Sequence, residues 1–501
     1  MEARSVRIRS FPVGALLAAL WVGGALLAIA LGVAAATSPI ALVGLLGLLT
    51  ASAVIAAAFT APRWALIVLL FVLYSYSGWV ASHAVGAPEL SQGLLVIIIA
   101  ALAWRQLTRE EQISLPSELG ALLALGLAYV FSAGFARDLG ISLERIQDYI
   151  GYSLTVVVLV ALLDRPIWLR RAVWTAVIAG AGLAIVSLLQ AGLGAYGSDF
   201  AGFARGKPEG AGVFRASGPL DPNFFGQVLV ATAMLAFYLG LSARTRDGRV
   251  LGLAASGVCL AATALTGSRG ALVAVVVAFF LVLLLAPVPR RIIATMGVLA
   301  AIASLIFLPS GLKARVGLPT SADSQQVAVV KQGSESAIRG RESENLAALE
   351  MFRDYPFVGV GPGNYPLHYL LYSEQIGLDP RLEQREAHSL YLEALAETGI
   401  VGAVALGAVL WLALRGAWRA RQRLAGRDRL LAEGIFVALV SFLVAALFLH
   451  LTYPRYLWLI VGFGLAAGNL ARGPAREPGF EVQPRSGGPN RWAEAPSGRT
   501  S

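Results

Sequence analysis

The chain has 501 residues, 57% of them hydrophobic and only 14% charged, with a net charge of +10 and a mean hydropathy of +0.69. A soluble domain carries about 25% charged residues, so the composition excludes an ordinary soluble protein and points to a polytopic membrane protein. The positive balance does not signal nucleic acid, because most arginines sit in short clusters between apolar segments, and the one cysteine, Cys259, excludes both a disulfide framework and a cysteine-built metal site.

About 20 mostly apolar residues cross a bilayer as a helix. Spans are predicted at 12–33, 38–59, 64–81, 90–104, 118–134, 148–163, 170–192, 222–242, 250–266, 270–286, 292–309, 390–413, 430–449 and 456–471. The first follows Arg4, Arg7 and Arg9, is longer than a signal-peptide core and ends at no clear cleavage site, so it reads as a retained helix. With the N-terminus in the cytoplasm, the even connections carry Arg63; Arg105 and Arg109; Arg165, Arg170 and Arg171; Arg244, Arg246 and Arg249; Arg290 and Arg291; and the cluster from Arg415 to Arg429. The opposite connections near Thr37 and His83 carry no Lys or Arg. The positive-inside rule therefore closes with both termini cytoplasmic and one long polar stretch outside.

The expected fold is all-α: a polytopic membrane bundle of about fourteen transmembrane helices with one large, partly helical external loop. Residues 1–309 hold the first eleven spans, 310–389 the loop, 390–471 the last three spans, and 472–501 a disordered cytoplasmic tail rich in Pro, Gly, Arg and Ser. A loop of that length is more than a connector.

Four outward-facing patches could carry chemistry. Val213 to Asn223 holds Arg215 among Gly and Pro residues that fix a turn at the membrane edge; its plain reading is a loop with a snorkelling arginine. Thr266-Gly267-Ser268-Arg269-Gly270 separates two apolar helices by almost nothing, and puts Arg269 at the outer edge against the positive-inside trend. Such an arginine has a partner, an anionic ligand or a lipid phosphate. In the loop, Arg339 and Arg341 precede a short helix, Glu342 to Asp354, whose Leu346, Leu349 and Phe352 form an apolar face suited to a membrane surface. The following Gly359-Val360-Gly361-Pro362-Gly363-Asn364 would let backbone approach a ligand closely or make a plain turn. It is not a Walker loop, since no Gly-Lys-Ser/Thr follows. Last, His388 stands where the loop re-enters the membrane, either as a proton-transfer group or as an interfacial histidine like His83, His368 and His450. Glu397 follows about 13 Å further along the helix, at 1.5 Å per residue, at a depth where an ionisable group is a functional candidate.

Arginines bind phosphate oxygens bidentately and keep their charge. A lipid-borne pyrophosphate would meet Arg269 and Arg341 at this depth, and their charge would make it a better leaving group. A nearby imidazole could take the proton of an attacking hydroxyl. No metal or other cofactor is required, and the first outer connection, near Thr37, holds no Asp or Glu of the kind metal-dependent membrane glycosyltransferases place there.

In the order and spacing of these four motifs, from Val213 to Gly402, the chain resembles the O-antigen ligase and polymerase superfamily of bacterial envelope glycosyltransferases. The resemblance implies that Arg269 and Arg341 bind the pyrophosphate of an undecaprenyl-linked glycan and that His388 is the catalytic base. Arg215, Arg339 and Glu397 are further candidates for substrate binding. It also implies transfer with inversion and without metal, at the outer face of the bacterial inner membrane, to an acceptor glycan chain, lipid A core or protein. Two positions depart from the family pattern, Ser389 where Asn is common and Asn345 where Trp is common, and both bear on the acceptor side. The competing class is a polysaccharide or lipid-linked sugar transporter or flippase. Transporters place polar groups mid-membrane between paired halves, whereas the charges here gather at one face.

Overall fold

Inside a bilayer no water satisfies backbone N–H and C=O groups, so a spanning segment must bond within itself. The computed structural model describes residues 52, 55–85, 90–108, 115–209, 213–289, 291, 324–378, 383–450 and 454–472, and these are overwhelmingly helical. In chain order the helices are α1 (Pro62–Ser75), α2 (Ser77–Val85), α3 (Leu90–Leu107), α4 (Gly120–Ala133), α5 (Leu139–Leu162), α6 (Pro166–Gly192), α7 (Pro222–Leu241), α8 (Arg246–Leu265), α9 (Arg269–Leu285), α10 (Ser324–Asp354), α11 (Tyr365–Ile376), α12 (Leu390–Arg423), α13 (Gly426–Ala445) and α14 (Pro454–Leu470). The sole sheet among the described residues pairs β1 (Lys207–Glu209) with β2 (Val213–Arg215), antiparallel, between α6 and α7. Helix starts follow local chemistry. Proline opens α1, α6 and α7, where its missing N–H costs nothing. Side chains of Asp138, Thr245 and Ser268 cap the first turns of α5, α8 and α9.

Every predicted span that falls on described residues overlaps a helix, and all but the one at 64–81 fall mainly on a single helix. The spans at 12–33 and 292–309, nearly all of 38–59, and the tail lie outside the described residues, so the expected total of fourteen is not established. Among the described residues seven helices are long and apolar enough to cross a membrane. The expected span at 64–81 is not one straight helix: Tyr76 adopts a left-handed conformation (φ 63°), and α1 and α2 meet at a 64° bend. The short helix expected at 342–354 starts earlier, at Ser324.

The bundle is built around α7 and α14, which are buried along most of their length. Outer helices instead expose large apolar side chains, such as Val96 and Trp104 on α3 and Val276, Phe280 and Leu284 on α9. Exposed apolar surface of that kind suits contact with lipid. Small residues bring helices into backbone contact, as expected where lipid removes the hydrophobic drive for association. A Cβ on Gly468 of α14 would lie 2.6 Å from Cα of Gly416 on α12.

Ion pairs and arginine-to-backbone bonds tie one end of the bundle. Arg63 meets Asp164 at 2.8 Å, Arg170 meets Asp428 at 3.3 Å, and Arg170 also donates to Ser242 Oγ at 2.7 Å. These residues belong to the connections predicted to share the cytoplasmic side. The chain segments around β2, Thr266, 355–378 and 383–389 gather at the opposite end.

At that opposite end the loop is locked to the bundle by a break in α12. Gly399 takes φ 60° and ψ −164°, a conformation essentially reserved for glycine. The break releases the carbonyls of Ala396 and Glu397 from the helix ladder. They accept instead from Val360 N and Gly361 N, each at 2.9 Å, while Ile400 N donates to the Pro356 carbonyl at 2.8 Å. Asn364 adds a second anchor: its Oδ1 accepts from Asp138 N at 2.8 Å and its Nδ2 donates to Ser142 Oγ at 2.9 Å. The glycines of this segment thus meet protein backbone and side chains: a Cβ on Gly359 would sit 2.2 Å from the Glu397 carbonyl carbon, and one on Gly361 would sit 2.4 Å from Ala136 Cβ. Of the two readings of this segment, the structure shows a close-packed turn against the protein's own chain.

A methyl group at Gly399 would meet the Phe357 carbonyl carbon at 2.3 Å as well as strain the backbone. Gly399→Ala is expected to cost about 2–4 kcal/mol, read as a lowered unfolding temperature in detergent with faster proteolysis of the segment joining α10 and α11.

Candidate functional site

Arg215, Arg269, Arg341 and His388 reach one end of the bundle by four routes. Arg215 ends β2 and is buried; its Nε donates to the Thr266 carbonyl at 2.6 Å and its Nη2 to Asn223 Oδ1 at 2.8 Å. It therefore staples the end of α8 to the start of α7. The stapled turn is tight. Thr266 Oγ1 accepts from Ser268 N at 3.2 Å, Ser268 Oγ accepts from Ala271 N at 3.3 Å, and Gly267 has φ 60°. Arg269 is left as the first residue of α9, at the positive end of that helix dipole. A cation there is unfavourable for the helix and favourable for a bound anion.

Arg341 lies on α10, half-buried. Burial pushes its guanidinium pKa down, and the nearby Arg215 and Arg269 push the same way, against Glu344 and Asp221. Two further guanidiniums within electrostatic reach of Arg341 mark a region of concentrated positive charge.

His388 lies just ahead of α12. Its Nδ1 approaches Oε2 of Glu344, a buried carboxylate on α10, to 2.6 Å. The two atoms are at ion-pair distance without the alignment of a hydrogen bond, and neither has another hydrogen-bond partner among the described residues. The imidazole stacks on that of His450, ring centres 5.5 Å apart and planes 21° from parallel. Behind them, Glu386 faces His450 and Arg145, each at 3.9 Å. Burial raises the Glu386 carboxyl, yet His450, Arg145 and His388 together outweigh burial and leave it below the ordinary carboxylate range.

Arg269, Arg341 and His388 line a single open cavity of about 450 Å³. Its remaining lining includes Glu342 and Asn345 on the polar side and Val273, Leu346, Leu349 and Phe448 on the apolar side. Those four apolar residues are all between 36% and 43% exposed, so the greasy wall opens onto the outer surface of the bundle. Leu346 and Leu349 belong to the apolar face predicted on α10. The helix packs inward through other residues, Ser343, Glu344, Ala347, Ala348 and Met351. The arrangement can hold a doubly charged anion between two guanidiniums, accommodate an attached hydrocarbon along the apolar wall, and present an imidazole to the same space.

The remaining candidates sit elsewhere. Arg339 is exposed and outside the cavity lining. Glu397 is buried, its Oε1 accepts from Tyr365 N at 3.3 Å, and it lines a different, smaller cavity with Arg145, Asp148 and Glu393. His83 stacks on Trp79, and His368 lies 6.5 Å from Tyr355, with its imidazole pKa lowered by burial and by Arg137. Two residues absent from the sequence-based candidates join the site, Glu344 beside His388 and His450 stacked on it. Glu344 follows Arg341 by about one helical turn, and that spacing was the available signal.

Residues 254–407 match the model of a protein family described as O-antigen ligase. No curated protein matches the chain. The matched segment runs from α8 into α12 and contains Arg269, Arg341 and His388; Arg215 precedes it.

Arg215→Ala would leave the buried Thr266 carbonyl without this donor, an expected loss of about 1–3 kcal/mol. Arg339→Ala removes an exposed side chain and should stay within about 0.5 kcal/mol of the parent. Thermal unfolding of the two variants in the same detergent separates these outcomes.

Proposed function

We propose, from the O-antigen ligase domain of this multi-pass membrane protein, that the chain is an inverting, metal-independent glycosyltransferase. It moves a glycan from undecaprenyl pyrophosphate to an acceptor hydroxyl at the outer face of the bacterial inner membrane, as an O-antigen ligase or polymerase does. The observation that carries this reading is the convergence of Arg269, Arg341 and His388 on one cavity with an apolar wall.

In this reading the pyrophosphate lies between Arg269 and Arg341, with the polyprenyl chain along Val273, Leu346, Leu349 and Phe448. The acceptor hydroxyl oxygen attacks the anomeric carbon as the bond from that carbon to the phosphate oxygen breaks. The departing electron pair goes to undecaprenyl pyrophosphate, whose added charge the guanidiniums hold. His388 takes the hydroxyl proton. One displacement from the face opposite the leaving group inverts the anomeric centre. Because arginine stays charged at every accessible pH, the countercharge is permanent and no metal enters the scheme. The acceptor is a glycan chain or lipid A core. The arginine-paired end of the bundle, with Arg63 and Arg170, faces the cytoplasm along with both termini.

Purified donor and acceptor in detergent test the reading. Arg269→Ala, Arg341→Ala and His388→Ala should each lower the rate of new glycosidic bond formation by about 10²–10⁴-fold while the protein still accumulates in the membrane. A wild-type protein that forms no such bond, yet moves lipid-linked glycan between vesicle leaflets, would be the transporter or flippase instead.

A further inference from the structure

Glu344 has no part in the reaction just described, yet it is among the most enclosed carboxyls of the molecule, with a side chain 2% exposed. An ionised carboxylate at that depth is costly unless something compensates it. Its Oε2 and Nδ1 of His388 are both sealed from solvent and lie 2.6 Å apart, at ion-pair distance, without hydrogen-bond alignment to each other or to any other described residue. The contact is held from both sides. The Tyr365 hydroxyl donates to the Glu344 carbonyl at 2.5 Å. Ala347, Ala348 and Met351 of α10 share a small apolar core with Tyr365, Tyr369 and Ala387, the residue before His388. The other groups near the imidazole are differently placed: His450 meets its face, Glu386 faces His450 and Arg145, and Arg269 and Arg341 line the cavity.

We infer that Glu344 is a positioning residue for His388. Its carboxylate holds the imidazole proton on Nδ1, leaving Nε2 as the nitrogen with a free lone pair for the acceptor hydroxyl, and it stabilises the imidazolium once Nε2 has taken that proton. This role rests on the reading of His388 as the base. One helix thereby serves both halves of the reaction: Arg341 faces the leaving group, and Glu344, three residues on, faces the base.

Glu344→Gln keeps the shape and removes the charge; Glu344→Asp keeps the charge on a shorter arm. In the full-length protein, Glu344→Gln should lower kcat by at least about 10²-fold with a far smaller change in donor KM, since Arg269 and Arg341 keep their side chains and Arg341 loses only the field of the nearby carboxylate. Glu344→Asp should recover at least about tenfold of that loss. The chain has only four histidines, so ¹⁵N-histidine labelling reads the tautomer directly. The His388 signals, identified by their loss in His388→Ala, should show a protonated Nδ1 and a bare Nε2 in the wild type, and a mixture in Glu344→Gln. Wild-type kcat in Glu344→Gln overturns the proposal. So does a joint loss of kcat and donor KM that Glu344→Asp fails to relieve, which would mark a purely structural carboxylate. Should Glu344→Gln fail to fold, a wild-type spectrum with the proton on Nε2 overturns it equally. His388→Ala separates the two levels. If that variant keeps full transfer, the base assignment falls and Glu344 falls with it; if it abolishes transfer while Glu344→Gln does not, Glu344 alone is refuted.

Discussion

The geometry of the cavity depends on one join, the insertion of the segment around Gly359 into the break of α12 at Gly399. A continuous helix would satisfy its own carbonyls and offer nothing to a neighbouring loop. By turning at Gly399, α12 leaves the Ala396 and Glu397 carbonyls to accept from Val360 and Gly361. The glycines on both strands of this join let the two backbones close to a separation that any Cβ would forbid. That join fixes where α10, which precedes it in the chain, stands relative to His388, which precedes α12. Arg341 and Glu344 reach their places because of it.

Charge at this end of the bundle is assembled against its own repulsion. Arg215 is used up in holding a turn, but its guanidinium still adds to the field felt by Arg341. Arg269 opens a helix, where the backbone amides already point positive charge outward. Fixed donors and dipoles of this kind need no reorganisation when negative charge develops nearby, which is the physical basis of electrostatic catalysis. At the other end, arginines meet carboxylates and carbonyls within the protein, as with Arg63 and Asp164 or Arg421 and Glu433. The same residue type thus does two jobs, and the difference lies in what each arginine is packed against.

Helix α10 joins two environments. Its inward face carries Glu344 and small residues into a local core, and its outward face presents Leu346 and Leu349 beside Arg341 along the cavity. A substrate with a charged head and a hydrocarbon tail would find both surfaces on one rigid element. A rigid element holds catalytic groups to closer tolerance than a mobile loop can.

Among the described residues, the sequence by itself determined where the long apolar helices lie, because hydrocarbon admits only self-satisfied backbone and leaves a long apolar run no alternative to helix. It also singled out Arg269, Arg341 and His388, because charge at a membrane edge stands out against an apolar background. The tertiary structure alone decided the rest. Glu344 reads as one more polar residue in a charged stretch until folding brings it to His388 across the loop. Glu397 reads as a companion of His388 on the same helix, yet it faces a separate cavity with Arg145. The glycines near Gly361 could have served a ligand or a turn, and only packing chose the turn. Helical periodicity and hydropathy report how deeply each residue is buried; which distant residue it is buried against depends on contacts that no local pattern encodes.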